Sequence, residues 1–202
     1  MSADVVVLDF GMGNLPSVCR ALERAGSKSS VSEDPKEIER AARVVFPGVG
    51  SCGDTLRNIR ARGLDQAVRE RIRAGRPTLG ICVGMQVLLE SSEEGSREAG
   101  LGILSGRVER FPASLGLAVP HMGWNEVRVE RPHPVLRNGY YYFVHGYRPV
   151  AVAPEHVLAT TEYGESFASA VGRDACVAVQ FHPEKSQLEG IGLLKRFLAW
   201  SP

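Results

Sequence analysis

Cys82 stands in the stretch GICVGMQ, residues 80–86, with Gly80 and Gly84 two residues to either side. This G-x-C-x-G pattern is the thiol form of the G-x-S-x-G nucleophile elbow, in which a strained residue sits at the tip of a strand-to-helix turn. Glycine is needed on both sides because the turn forces strand and helix close together. A helix start beside the sulfur supplies unpaired amides and partial positive charge. Both favour thiolate, the reactive form of cysteine. The amide of Val83 is then placed as half of an oxyanion hole.

Such a thiol needs a base. Of the five histidines, His182 lies in VAVQFHPEKS, directly after an apolar run. Glu184, two residues on, can hold the other imidazole nitrogen, and Pro183 stiffens the turn between them. Cys82, His182 and Glu184 thus make a candidate nucleophile, base and orienter, recognised by role rather than by order. A structural histidine and a solvated carboxylate are the plain alternatives for the latter two. Cys52 is the competing thiol, near a predicted helix start. It lies two residues beyond the glycines Gly48 and Gly50 and lacks symmetric flanks. Cys19 and Cys176 read as small buried hydrophobes. With no C-x-x-C pair and no zinc-type histidine spacing, neither a metal nor a cofactor is expected.

The second glycine-rich stretch, GVGSCG at 48–53, matches G-x-G-x-x-G after a strand. A dinucleotide site needs an acidic residue roughly 20 positions on, at the end of the next strand. Asp65 and Glu70 lie near that distance, but inside a helical pattern. The remaining readings are a tight turn, or backbone amides of Gly48, Val49 and Gly50 turned toward an anion.

These residues must be positioned by a sheet edge. DVVVLDF, RVVFPGVG and PTLGI are short apolar runs, each followed by a helical pattern: NLPSVCRALERAG, with Asn14 as a cap; TLRNIRARGLDQAVRERIRAG, broken at Gly63; and VGMQVLLESSEE. Such alternation predicts a parallel sheet flanked by helices. After Gly100 come short strands with turns: VERFPAS, WNEVRVERP, YYYFVHGY, HVLATTEY, FASAVGR and CVAVQF. A last helix, GIGLLKRFLAW, closes the chain. The expected fold is α/β, a mostly parallel sheet with helices and an antiparallel extension, forming a single domain over residues 1–202. Strands of a parallel sheet end at one edge, so the ends of PTLGI and CVAVQF, and with them Cys82 and His182, can meet there.

The chain has 202 residues, 44% hydrophobic and 23% charged, with a formal net charge of +1. That balance gives no basic field for nucleic acid. No apolar run reaches the roughly 20 residues of a membrane span. The start, MSADVVVLDF, has an acid where a leader carries positive charge, so a cytoplasmic location is expected.

The stretches PGVG (47–50), LGICVGMQVLLESSEE (79–94) and VQFHPEKS (179–186) resemble class I glutamine amidotransferases. DFGMGNLPSV (9–18), PHMGWNEV (120–127) and YYFVHGY (141–147) narrow the resemblance to the glutaminase subunits of imidazole glycerol phosphate synthase. The resemblance implies hydrolysis of glutamine to glutamate and ammonia. The ammonia passes to a cyclase subunit with a (β/α)8 barrel, which makes imidazole glycerol phosphate and AICAR in histidine biosynthesis. By motif position, Cys82, His182 and Glu184 form the triad. Gly48, Val49 and Gly50 form an oxyanion strand beside Val83. Gln86 binds the substrate, and Glu94 its α-amino group. Met122, Trp124 and Asn125, in a turn-like stretch, and Lys185 form the expected partner interface, a core aromatic being the plain alternative for Trp124. Two positions depart from the pattern: Gly146 stands where Ser or Thr is expected, and Cys52 where a non-cysteine is. Another amidotransferase glutaminase, an unrelated cysteine hydrolase and a non-catalytic scaffold are the alternatives.

Overall fold

The run VVVL forms β1 (Val5–Leu8), whose four residues are all buried, as expected of a strand covered on both faces. The computed structural model describes residues 5–95 and 98–202. Asp4, read above against a leader, lies outside them. After β1 the chain forms α1 (Leu15–Arg24), β2 (Ser29–Ser32), α2 (Pro35–Arg40), β3 (Val44–Phe46), α3 (Cys52–Ala61), α4 (Leu64–Arg73), β4 (Thr78–Ile81) and α5 (Val83–Gln86). There follow β5 (Ser91–Ser92), β6 (Arg107–Arg110), β7 (His121–Val129), β8 (Gly139–His145), β9 (Tyr147–Val150), β10 (Val157–Tyr163), β11 (Glu165–Arg173), β12 (Cys176–Val179) and α6 (Gln187–Ala199).

The large sheet has nine strands in the order β2-β1-β3-β4-β12-β11-β10-β7-β8. The first five run parallel. The rest pair antiparallel. This is the expected architecture. A separate sheet joins β5, β6 and β9. Helices pack as amphipathic rods: α1 buries Val18, Ala21 and Leu22, a spacing of three and four residues. Burying a side chain of the size of Val18 or Leu22 contributes about 1.5–3 kcal/mol. Gly63, at φ 67°, breaks α3 from α4 where the sequence places the break.

Four details differ from the sequence expectation. β2 (SSVS) and α2 (PKEIER) have no apolar pattern that announces them, and each buries one residue. Asn14 occupies the cap position of α1, but its side chain makes no capping hydrogen bond. The helix after Cys82 is a single turn, because amides of residues 100–104 take the carbonyls of Val87, Leu88, Leu89 and Glu90. Those carbonyls are then lost to further helix growth. Finally, Trp124 lies within β7 rather than in a turn.

Candidate active site

Cys82 follows β4 and precedes α5 with φ 53° and ψ −110°. A non-glycine residue held there stores about 1–3 kcal/mol of backbone strain. Its amide donates to the carbonyl of Val179 at 2.8 Å, tying the elbow to the end of β12. The flanking glycines are required by close approach. A Cβ on Gly84 would overlap the carbonyl oxygen of Phe46, at the end of β3, and one on Gly80 would stand 2.9 Å from Cβ of Ala178.

β4 and β12 are parallel neighbours, with Ile81 opposite Val179. The residues that follow each strand therefore emerge side by side. His182 is buried, and its Nδ1–H donates to Oε1 of Glu184 at 2.7 Å. The Glu184 side chain is itself 3% exposed, so it is no solvated charge. Nε2 of His182 is buried without a hydrogen-bond partner. Burial alone depresses the imidazole pKa. Attraction to Cys82, followed by the hydrogen bond and attraction to Glu184, outweighs burial and holds the pKa well above the usual histidine range. His182, with its orphaned Nε2, and Cys82 line the same cavity. The turn is fixed by Ser186, which donates to the His182 carbonyl at 2.6 Å and accepts from the Tyr142 amide at 3.0 Å.

Cys82, Val83, Gln86, Glu94, Val49, Gly50, His182 and Lys185 all line one cavity of about 350 Å³. Gly48 lies beneath it, so close to Val83 and Gly84 that a Cβ would clash with both. Val83 opens α5, so no carbonyl within that helix can accept from its amide. Glu94 accepts from the Cys52 amide at 2.8 Å, and its own burial raises its pKa. The rival thiol, Cys52, does not line this cavity. Cys52 is fully buried, and burial, reinforced by Glu94 against a hydrogen bond with Ser92, pushes its pKa up to about 12. Gly146 lines the cavity, and a Cβ there would meet only Val119, at 3.6 Å.

Of the interface candidates, Met122, Trp124 and Asn125 lie outside the cavity, and Lys185 lines its wall. Met122, Trp124 and the neighbouring Tyr140 are 62%, 46% and 59% exposed on the β7–β8 hairpin. Lys185 stacks its ammonium 5.8 Å from the Tyr142 ring centre, and Trp124 meets the same ring edge-on. Asn125 faces inward instead and bonds His121. The sequence reading missed Gln180, Ser186, His121 and His145. A glutamine inside the apolar run VAVQF, two residues before His182, is the one signal that was available. Among the described residues no cluster of His, Cys, Asp and Glu is placed to hold a metal ion, and no helix is long and apolar enough to cross a membrane.

A strained thiol at a strand tip, with a carboxylate-bound histidine beside it, defines a cysteine-dependent acyl-transfer site. The chain belongs to the class-I glutamine amidotransferases, whose family pattern matches residues 6–199. It is 47% identical over 197 residues to the imidazole glycerol phosphate synthase subunit HisH of Moorella thermoacetica, covering 96% of this chain and 93% of that one. It is 48% identical over 206 residues to the subunit of the same name from Nitrosococcus oceani, covering 98% of both. A crystal structure described as a glutamine amidotransferase superposes with a TM-score of 0.77 at 25% identity, over 96% of this chain and 97% of the other.

Proposed function

We propose that this chain is the glutaminase subunit of imidazole glycerol phosphate synthase. It hydrolyses glutamine and hands ammonia to a cyclase subunit. The single observation that carries the chemistry is the buried, unpartnered Nε2 of His182, with Nδ1 locked on Glu184, in the cavity that Cys82 also lines. In the proposed reaction the Cys82 thiolate, its proton already held on Nε2 of His182, adds to the side-chain carbonyl carbon of glutamine. The resulting oxyanion rests on the Val83 amide and the Gly48–Val49–Gly50 strand. Collapse expels ammonia, protonated from His182. Water, deprotonated by the same nitrogen, then cleaves the γ-glutamyl thioester and releases glutamate. Gln86 and Glu94 hold the substrate's polar end. Glu94, on the cavity wall, suits the α-ammonium group.

The whole chain, 1–202, acts as one glutamine amidotransferase domain, a reading supported by the nearly full-length family match. The partner is a cyclase with a (β/α)8 barrel, joined as a cytoplasmic heterodimer whose overall reaction is a lyase reaction. Met122, Trp124 and Lys185 dock it, while Asn125, turned inward on β7, supports the hairpin from behind. The exposed aromatic face of the β7–β8 hairpin, next to the His182 turn, supports that surface. Ammonia then leaves into the partner rather than into water. The gate is the Gly48–Val49 peptide, whose rotation adds or removes one oxyanion donor, a change of about 100- to 1000-fold in rate.

The test is glutamate release from glutamine by the subunit alone, with the cyclase subunit, and with the cyclase and its nucleotide. Slow turnover alone and a rise of at least about 100-fold in the full assembly are expected. Equal turnover in all three would sink the gated-subunit reading.

A further inference from the structure

Gln180 is fully buried. Its Nε2 lies 3.7 Å from the sulfur of Cys82, and its Oε1 accepts from Gln86 Nε2 at 3.1 Å. Gln86 Nε2 also donates to the carbonyl of Tyr147 at 3.1 Å. These contacts permit one orientation only. The Tyr147 carbonyl can only accept, so Gln86 must present its NH2 there. The second proton of that NH2 requires Gln180 to present Oε1. The Gln180 NH2 is thereby aimed at the sulfur, and Gln86 Oε1 is left as an acceptor.

The same carbonyl fixes a second set of groups. His145 Nδ1 lies 2.8 Å from it and must be the protonated nitrogen. Its Nε2 is then an acceptor for His121 Nδ1–H at 3.1 Å. His121 Nε2 in turn accepts from Asn125 Nδ2 at 3.2 Å. Asn125 cannot flip, because Nδ2 also donates to the Glu162 carbonyl and Oδ1 accepts from the Glu126 amide, both at 2.8 Å. Burial holds both imidazoles neutral, as this arrangement needs.

We infer that Gln180 is a positioning residue that holds the Cys82 sulfur and orients Gln86, and that it is the inner end of a hydrogen-bonded relay anchored at Asn125 on the β7–β8 hairpin. The inference rests on Cys82 being the nucleophile. An N–H donor aimed at sulfur favours thiolate over thiol and fixes the direction from which it attacks. Members of such a hydrogen-bonded relay polarise one another, so the loss of one bond weakens its neighbours.

The experiment measures the rate of Cys82 alkylation by iodoacetamide against pH in the free subunit, followed on the Cys82 peptide by mass spectrometry. Two near-isosteric variants are used, Gln180→Met and Gln180→Glu. The charged and titratable groups that face the sulfur or its cavity remain in both: His182 backed by Glu184, then Glu94, His145 and Lys185. In Gln180→Met the alkylation midpoint should rise by about one pH unit, and in Gln180→Glu further, since the donor becomes an acceptor. Glutamine-dependent kcat in the complex should fall about tenfold, and KM should rise as Gln86 loses its orientation. A residue that merely fills space would lower the thermal midpoint without moving the alkylation midpoint.

Unmoved alkylation midpoints in both folded variants overturn the inference. Should neither variant fold, the wild-type protein decides: the Gln180 side-chain amide signals in NMR must shift as the thiol titrates, and constant signals overturn it. Asn125→Leu, again in the free subunit, should change the alkylation rate about threefold, and no change removes the outer part of the relay. Glutaminase activity surviving in Cys82→Ala would instead overturn the functional reading itself, a separate outcome.

Discussion

β4 and β12 are short and wholly buried, and they deliver Cys82 and His182 at their ends. β7 and β8 are longer, alternate buried and exposed residues, and carry two histidines inside and a tryptophan outside. The parallel half fixes reacting atoms with backbone geometry: a positive φ, glycine contacts and an amide tied across strands. The antiparallel half fixes polar side chains relative to one another and exposes an aromatic face. Precision at the nucleophile comes from one half, and communication with the surroundings from the other. Beyond the β11–β12 ladder that joins them, they also meet at the Tyr147 carbonyl and at the Tyr142–Ser186–His182 turn.

Changes in the parallel half should therefore be the most damaging. Cys82→Ala should lower glutamine-dependent turnover by about 10⁴-fold or more, while the assembled synthase still works with added ammonia. Cys52→Ala should not; the reverse pattern would reassign the nucleophile. His182→Ala should rank with Cys82→Ala, and Glu184→Gln should cost about two orders of magnitude less, because it loosens the base without removing it. Wild-type turnover for Glu184→Gln would reduce that carboxylate to a structural partner.

In the antiparallel half the effects should be on assembly and stability. Trp124→Ala removes an exposed ring, so partner binding should weaken about tenfold or more while the thermal midpoint stays within a few degrees. A large drop in midpoint with unchanged affinity would move Trp124 into the core. The buried imidazoles predict an acid dependence. Burial pushes His121 down to about 4 and His145 to about 3. The unfolded chain takes up these protons near pH 6.5. Between about 6.5 and 4 the unfolded state binds more protons, so stability is lost as pH falls through that window. Denaturant titrations from pH 7 to 4.5 should show this slope, and His121→Phe should flatten it by about one proton; an unchanged slope would show that other groups carry it. The smallest effect belongs to Gly146→Thr. Its side chain has room in the cavity wall and restores the hydroxyl expected at that position, so KM for glutamine should fall by a few-fold at unchanged kcat. A rise in KM would mean that the wall is tighter than the Cβ position indicates.

The same contrast explains what was legible in the sequence. β1, β3, β4 and β12 are doubly covered and so appear as apolar runs, and the elbow glycines mark Cys82 directly. The HPE turn carries its own chemistry in consecutive residues, which is why His182 and Glu184 were readable together. β2 lies at the sheet edge and buries one residue of four, leaving little pattern. The length of α5 depended on a segment more than ten residues downstream taking its carbonyls. The His121–His145 pair exists only because the β7–β8 register places those residues opposite each other. Pairing across a hairpin is tertiary information that no local spacing contains.

The position of β8 at the end of the large sheet has one more consequence. A terminal strand offers unpaired amides and carbonyls to any other chain that can line up with it, a common route to aggregation. Here Tyr142, near the middle of β8, already gives its carbonyl to the His182 amide and its amide proton to Ser186. The turn that carries the base thus doubles as a guard rail on the sheet's exposed border. Ser186→Ala would remove both restraints at once, baring the Tyr142 amide at the sheet's border and loosening the turn that carries His182.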